Sequence, residues 1–220
     1  MAGFRQKAAV AFLPNGMSHM MDSSPDPSVE QLIEQLSDAS AQVRLQAVET
    51  LRRRKEASAL PKLLPLLHDP DWWVRVAVAD AVGELGDETT AQALLPDLQH
   101  DDPLVRSSVT LALGRLRYKP NFETTLAMLE DNHHWVRYAA AIALGELDDV
   151  RAVDALIQRL TDDVDYLVRA GAARSLGRIR HPKAIRPLRR AVVKDDNELV
   201  RADALEALRL IWNGASGEEE

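Results

Sequence analysis

The stretch "HHWVRYAAAIALGEL", residues 133–147, identifies the fold because its Val-Arg pair recurs from residue 43 to residue 201. The pair occurs six times, at spacings of 31, 31, 31, 32 and 32 residues. The copies are Val43-Arg44, Val74-Arg75, Val105-Arg106, Val136-Arg137, Val168-Arg169 and Val200-Arg201. A near-constant period of this length is typical of a repeat array, so the chain is best analysed repeat by repeat.

Each repeat has the pattern of two helices. With the valine of the pair as position 0, positions +4, +8 and +11 are apolar in nearly every copy, as in Ala140, Leu144 and Leu147. These spacings place the three side chains on one face of a helix. A shorter apolar-periodic segment, such as "RAVDALIQRL" (151–160), precedes the pair after a loop with Asp. No segment alternates with period two, so we predict an all-α solenoid of about six helix pairs over residues 28–212.

The two ends of the chain differ from the repeats. We predict a flexible arm over residues 1–27, with the true start at Met1, Met17, Met20 or Met21, and an acidic, disordered tail over 213–220. The absence of cysteine excludes disulfides and thiol catalysis and is compatible with a cytoplasmic protein. The net charge of −7 argues against nucleic-acid binding, and no apolar run is long enough to span a membrane.

The arginine at +1 is present in all six repeats. An aspartate stands at −5 in most of them, and Asp101 and Asp102 are close equivalents in the third repeat. Stacked repeats would bring these charges together, which predicts a structural Asp–Arg ladder. The alternative, a basic stripe for phosphates, is disfavoured by the paired acids and the low isoelectric point. The ladder arginines are Arg44, Arg75, Arg106, Arg137, Arg169 and Arg201.

The sequence also suggests what His133, His134 and Trp135 do. Position −3 usually holds a helix N-capping residue, so we expect His133 or Asn132 to cap the helix. Position −1 is mostly large and apolar, so Trp135 and Trp73 are predicted to be buried. Position −2 varies freely and is predicted to face solvent, which makes an exposed row of Trp72, His134 and Tyr166 a candidate for partner recognition. A metal site is not expected, because neighbouring histidines point to different faces.

A second candidate surface lies on the inner, concave side that the second helices of a solenoid usually line. Its positions +2, +6 and +10 are apolar in the centre, at Leu111, Tyr138 and Ile142, and charged at the flanks. An apolar centre with a polar rim is typical of a protein-binding surface. The alternative is that these side chains only cover the next repeat.

The repeat unit V-R-x-x-A-x-x-A-L-G-x-[LI], followed by D-x-x-A-[VI]-x-x-L, resembles the HEAT-like repeats of the phycobilisome-lyase type. The segments "VRYAAAIALGELDDVRAVDALIQRLTDD" (136–163) and "VRAGAARSLGRIRHPKAIRPLRRAVVKD" (168–195) carry the resemblance, which extends from about residue 28 to 212. Members of this family include cyanobacterial bilin lyase subunits, which attach open-chain tetrapyrroles to phycobiliproteins. A shorter relative takes part in phycobilisome degradation and is reported to detach the chromophore, and other members are plain scaffolds.

The resemblance therefore implies a non-catalytic scaffold that binds phycobiliproteins, in phycobilisome degradation or chromophore handling. One alternative is a bilin lyase subunit or a chromophore-detaching enzyme, with phycocyanobilin as a transient ligand. Another is a generic HEAT-repeat adaptor unrelated to phycobilisomes. No resident cofactor is expected, and no catalytic motif of the family can be matched to residues of this chain.

Overall fold

A computed structural model describes residues 26–215 of the chain, with side chains from 26 to 213. Within these residues there are twelve α-helices and no β-strand, which confirms the predicted all-α solenoid. The helices are α1 (Val29–Gln35), α2 (Ala41–Arg54), α3 (Leu60–Leu63), α4 (Trp72–Leu85), α5 (Glu88–Leu94), α6 (Pro103–Arg115), α7 (Phe122–Ala127), α8 (His134–Leu147), α9 (Val153–Asp162), α10 (Tyr166–Ile179), α11 (Ile185–Lys194) and α12 (Glu198–Ala215).

The helices alternate between two layers, with one odd-numbered and one even-numbered helix in each repeat. The apolar positions of the even helices point between the layers, so that Leu144 and Leu176 are fully buried. Leu156 of α9 and Leu188 of α11 enter the same core from the odd layer. One continuous hydrophobic core therefore runs along the stack, as the period of 3.6 in the apolar residues predicts.

Proline shortens the odd helices of the second and third repeats. After α3 and α5 the chain continues as 3₁₀ turns, at Leu64–His68 and Leu95–Gln99, and each turn contains a proline. Pro65 and Pro96 have no N–H to donate to an α-helical bond, so the tighter turn replaces the α-helix. The sequence predicts this shortening from the position of the prolines.

Glycine at position +9 allows the even helices of neighbouring repeats to approach closely. A Cβ atom on Gly145 would lie 2.6 Å from Cβ of Ser175, and one on Gly177 would lie 2.6 Å from Cα of Ala207. The even helices pack on one another along the stack, whereas the odd helices of adjacent repeats have few contacts. The even layer therefore forms the inner side of the curve.

The contact between the second and third repeats has a different register. Gly114, Gly145 and Gly177 meet a residue at position +7 of the next repeat, whereas Gly83 meets Arg115 at position +10. This offset of three residues along α6 corresponds to a shift of about 4.5 Å, because an α-helix rises 1.5 Å per residue.

The predicted boundaries of the solenoid stay predictions. Helix α12 continues to Ala215, three residues past the predicted boundary at 212. The predicted arm over 1–27 lies outside the described residues except for Asp26 and Pro27, as do residues 216–220 of the predicted tail.

Candidate functional site

Six short segments join the odd helix of each repeat to the even helix that follows, and we name the side of the stack that they form the turn edge. The segments are residues 36–42, 68–73, 99–104, 130–135, 162–167 and 194–199. The arginine two residues after a segment binds an aspartate of the next segment at four of the five junctions, and the rings of His68 and His100 lie 5.4 Å apart at the other. The segments therefore follow one another along one side of the molecule. The predicted recognition residues Trp72, His134 and Tyr166 all lie on this edge.

An arginine of one repeat binds an aspartate of the next at four of the five junctions between described repeats. Arg137 donates from Nε and Nη2 to the two carboxylate oxygens of Asp163, at 2.8 and 2.9 Å. Its Nη1 also donates to the backbone carbonyl of Asp131 at 3.0 Å. Asp163 Oδ1 accepts the backbone N–H of Asp165 at 3.0 Å. The same bidentate pairing joins Arg44 to Asp69, Arg106 to Asp131 and Arg169 to Asp195.

Burial and pairing with arginine shift the pKa values of the ladder aspartates in opposite directions. Burial alone would raise the pKa of Asp163, but the hydrogen bonds from Arg137 and from the Asp165 amide lower the pKa below its ordinary value. The pKa of Asp195 is lowered for the same reasons, with Arg169 as the donor. The paired, ionised state is therefore the stable one, and the ladder acts as a structural connection between repeats.

The junction between the second and third repeats lacks this ion pair. Arg75 is buried, and its Nε has no hydrogen-bond partner. His100 occupies the position that holds aspartate at the other junctions, and its Nδ1 accepts the backbone N–H of Asp102 at 3.0 Å. The imidazole thus replaces aspartate in the turn but not in the ladder. Burial lowers the pKa of Arg75.

Two of the predicted positions in the ladder are wrong. Asp101 and Asp102 do not take the place of the missing aspartate, because the Asp102 side chain instead accepts the Leu104 N–H and caps α6. The Asp101 side chain is exposed. Arg201 belongs to the last repeat and donates to the backbone carbonyls of Asp195 and Asp196.

We expect His100→Asp to stabilise the protein by about 1 kcal/mol, within the 0.5–2 kcal/mol range of favourable surface and charge optimisations. An aspartate at 100 can accept both the Asp102 N–H and the Nε of Arg75, so a buried cation gains a counter-charge. Urea melts of the two proteins at neutral pH measure the difference. His100→Asn is the control, because it supplies an acceptor without the charge. Equal stability of the Asp and Asn variants would contradict the prediction.

Aromatic side chains form a cluster on the turn edge between repeats two and four. The ring of Trp72 lies 4.7 Å from that of Trp135, centroid to centroid, although these residues are two repeats apart. His134 lies 5.1 Å from Trp135 and 4.9 Å from His133, and Tyr138 meets Trp135 edge-on at 6.2 Å. The cluster thus spans the third repeat, whose own turn has no tryptophan, tyrosine or phenylalanine.

The predicted burial of positions −1 and −2 is wrong in the second and fourth repeats. Trp73 at −1 is 64% exposed, and Trp135 is only half-buried. Trp72 at −2, predicted to face solvent, is half-buried against the core and against Trp135. His134 is also half-buried, whereas Tyr166 is 42% exposed. The side chain that fills the aromatic cluster in the second repeat is therefore Trp72, and the accessible one is Trp73.

His133 begins α8 without capping it. It occupies the N-cap position, yet its side chain accepts no bond from the helix, and neither His133 nor Asn132 acts as the predicted cap. Instead Asp131 accepts the His133 backbone N–H at 2.8 Å. Burial lowers the pKa of His133, and the neighbouring His134 lowers it further. The neutral imidazole therefore packs as part of the aromatic cluster.

Exposed apolar side chains collect on the turn edge. Eight large hydrophobic residues are exposed among those whose side chains the structure describes, and five of them are on or directly beside this edge. The five are Trp73, Val164, Tyr166, Val193 and Leu199. These side chains lie outside the core, and their concentration on one side of the molecule is typical of a surface that binds a partner. The sequence signal that could have found Val164 is an apolar residue between two aspartates in a turn.

The predicted inner stripe is only partly accessible. Leu111 is 4% exposed, so its assignment to a partner surface is wrong: α4 and α8 pack on both sides of α6 and cover it. Tyr138 and Ile142 are half-buried and line a groove of about 750 Å³ on the inner side. Gly171 makes room for the Tyr138 ring, which would lie 3.0 Å from a Cβ atom at that position.

The inner groove combines this apolar floor with arginines. Its lining includes Arg115, Arg174, Arg178 and Arg180. Burial would lower the pKa of Arg174, but its bond to Asp203, at 2.9 Å, and its contact with Tyr138 raise it. Glu146 lies on the groove as well and accepts from Arg178 at 3.0 Å. Arg115, Arg174 and Arg178 are thus paired with carboxylates, whereas Arg180 has no ion pair among the described residues.

Two kinds of feature are not found in the described part of the chain. Across residues 26–215, every helix is too short or too polar to cross a bilayer. Within the same residues, no three side chains of histidine, aspartate or glutamate gather in a way that could hold a metal ion.

The chain is similar to several solved structures. One match is a chain in the structure of the complex of CpcE and CpcF of phycocyanin lyase from Nostoc sp., with a TM-score of 0.58, 19% identity, and coverage of 68% of this chain and 98% of that one. The chain is also similar to an engineered protein, with a TM-score of 0.49, 22% identity, and coverage of 86% and 100%. Human deoxyhypusine hydroxylase gives a TM-score of 0.44, 18% identity, and coverage of 86% of both chains.

The family itself is established by the repeats. No curated protein matches the chain. The family description "HEAT repeats" matches residues 29–114, 93–173 and 123–209, which together cover nearly all of the twelve helices described above. The chain therefore belongs to the HEAT-repeat family.

Proposed function

We propose that this HEAT-repeat protein is a scaffold that binds a phycobiliprotein through its turn edge. The observation that carries the proposal is the concentration of exposed apolar side chains there, with Trp73 and Tyr166 as the aromatic anchors. Aromatic side chains dominate binding energy at protein interfaces. The choice of partner is supported by the resemblance of the repeats to the phycobilisome-lyase type and by the fold shared with the subunits of phycocyanin lyase.

We expect the double variant Trp73→Ala/Tyr166→Ala to bind phycocyanin at least tenfold more weakly than the wild type. Loss of an aromatic anchor commonly costs 2 kcal/mol or more of binding free energy. The fold should remain intact, with a change within about 0.5 kcal/mol per site, because both side chains are largely outside the core. Titration of labelled phycocyanin and a urea melt measure the two effects.

A matched control uses exposed apolar residues away from the turn edge. Val150→Ala/Leu205→Ala removes side chains that are 60% and 52% exposed and should leave phycocyanin binding unchanged. Equal binding by the wild type and the Trp73/Tyr166 variant would remove the turn edge from the functional account. Absence of phycocyanin binding by the wild type would favour the alternative, an adaptor for another protein.

The inner groove supports a second candidate function, which is the handling of a bilin by a lyase subunit or a chromophore-detaching enzyme. An open-chain tetrapyrrole is an elongated apolar molecule with two propionate groups, and the groove offers Tyr138 and Ile142 beside Arg174 and Arg178. A change in the visible spectrum of free phycocyanobilin on mixing with the protein would support this function. Loss of that change in Arg174→Gln would assign it to the groove. A loss of protein-bound chromophore from phycocyanin would show the detaching activity.

A further inference from the structure

We infer that the turn edge is built to receive a basic, arginine-bearing segment of its partner. This inference rests on the proposed function, because it names the chemistry of the partner that the same surface would bind. Three features of the edge carry it: its net charge, the way its own arginines are used, and the position of its exposed aromatic rings beside free carboxylates.

The turn edge holds most of the net charge of the protein. Its six segments contain thirteen acidic residues and one lysine. The six ladder arginines, together with Arg159, which binds Glu130 and Asp163, reduce the balance to −5, compared with −7 for the whole chain. An arrangement this one-sided attracts cations and repels anionic partners such as nucleic acid and acidic lipid surfaces. It therefore selects for a positively charged partner.

The ladder arginines at the edge are already bound within the protein, and Lys194 is the one exposed lysine of the edge segments. At the four complete junctions each ladder arginine uses Nε and Nη2 on an aspartate and Nη1 on a backbone carbonyl. Arg75, at the incomplete one, is buried. Seven of the thirteen acids have no ion pair among the described residues, and they are exposed or half-exposed. These are Asp38, Asp71, Asp101, Asp102, Asp162, Asp165 and Glu198. The charge that reaches solvent is therefore negative.

Each exposed ring belongs to a residue that is one or two positions from an acid without an ion pair, Asp71 or Asp165. Asp71 accepts the backbone N–H of Trp73 at 2.8 Å, and Asp165 directly precedes Tyr166. A guanidinium group stacks on an aromatic ring and donates to a carboxylate in the same plane, which a lysine does less well. The chain forms such a contact elsewhere: the guanidinium of Arg151 lies 4.0 Å from the Phe122 ring centroid. The same Arg151 also binds Asp149 and Glu123.

The test uses labelled eight-residue peptides that contain four arginines, four lysines or four glutamates spaced by glycine. We expect the arginine peptide to bind the full chain more tightly than the lysine peptide and to weaken at high salt, and the glutamate peptide not to bind. Asp102→Asn/Asp165→Asn should weaken binding of the arginine peptide at least tenfold. Asparagine keeps both helix caps, so the change removes charge without removing the cap.

A charge-matched control separates a site from a general attraction to an acidic protein. Glu30→Gln/Glu88→Gln removes two exposed charges in the first turns of α1 and α5, at the opposite ends of these helices from the turn edge, and should leave the affinity for the arginine peptide unchanged. Equal losses in the two double variants, or no loss in the edge variant, would overturn the inference.

The outcome of this test is independent of the phycocyanin experiment. If the Trp73/Tyr166 variant loses phycocyanin but the arginine peptide fails to bind the wild type, the inference is overturned and the proposed function stands. If the peptide binds the turn edge and phycocyanin does not bind at all, the inference stands and the proposed partner is wrong.

Discussion

Asp163→Ala is expected to destabilise the protein by about 3–5 kcal/mol, the usual cost of removing one partner of a buried ion pair. The Asp163 side chain is 2% exposed and bound in bidentate fashion by Arg137, with Arg159 Nη1 at 3.7 Å. The substitution takes this carboxylate away from Arg137 and Arg159, whose side chains are each only 12% exposed. It also leaves the Asp165 N–H without its acceptor. Urea melts at neutral pH measure the loss.

The pH dependence of the effect follows from the lowered pKa of Asp163. A carboxyl whose pKa is lower in the folded state contributes stability that is complete above its unfolded pKa, about 3.9, and is lost as pH falls through the folded value. We therefore expect the difference between wild type and variant to be largest at neutral pH and to shrink below about pH 4. A difference that stays constant down to strongly acidic pH would contradict this account.

The neighbouring aspartate provides the control. Asp162 is exposed and has no ion pair among the described residues, so Asp162→Ala should change stability by no more than about 0.5 kcal/mol. A loss at Asp163 of the same small size would mean that the ladder does not hold the repeats together. Arg75 shows that the fold tolerates one buried guanidinium without a counter-charge, so the variant tests the cost of adding further ones.

The repeat period determines most of the fold and the ladder because each rests on contacts between adjacent repeats. Position +1 of one repeat meets position −5 of the next wherever both hold the required residue, as at Arg137 and Asp163. The glycines at +9 equally predict a close approach of the neighbouring helix, because glycine in a helix interior is unfavourable unless packing requires it. Contacts of this kind recur with the period and can be found by comparing the repeats with one another.

The sequence predictions that are wrong concern contacts that do not recur from one repeat to the next. Trp72 is half-buried because it meets Trp135, which is two repeats away, and no comparison of adjacent repeats predicts that pair. The large apolar residues at position −1 of the other repeats predict that Trp73 lies in the core. Size and polarity alone, however, do not establish that a side chain in the first turn of a helix is buried. Leu111 is covered by α4 and α8, which approach α6 from both sides.

Gly145→Ala is expected to cost about 2–3 kcal/mol, at the upper end of overpacking effects, although alanine is the better helix former by about 1 kcal/mol. The new Cβ would lie 2.5 Å from Oγ, 2.6 Å from Cβ and 2.9 Å from Cα of Ser175. The Ser175 Oγ atom can move away only by breaking the hydrogen bond that it donates to the Ala141 carbonyl oxygen, at 2.7 Å. Helices α8 and α10 must therefore separate along part of their contact.

A double-mutant cycle with Ser175→Gly identifies the cause of this cost. Ser175→Gly alone should cost about 1–2 kcal/mol, from a glycine within a helix and the lost hydrogen bond. In the double variant the Cβ of residue 145 no longer meets Oγ or Cβ of residue 175, so the two changes should cost less together than the sum of the single losses. Additive losses would show that Gly145 is required for a reason other than the close approach of α10. Because the same approach recurs at Gly114 and Gly177, a positive result would identify position +9 as the residue that sets the spacing of the inner layer from the third repeat to the sixth.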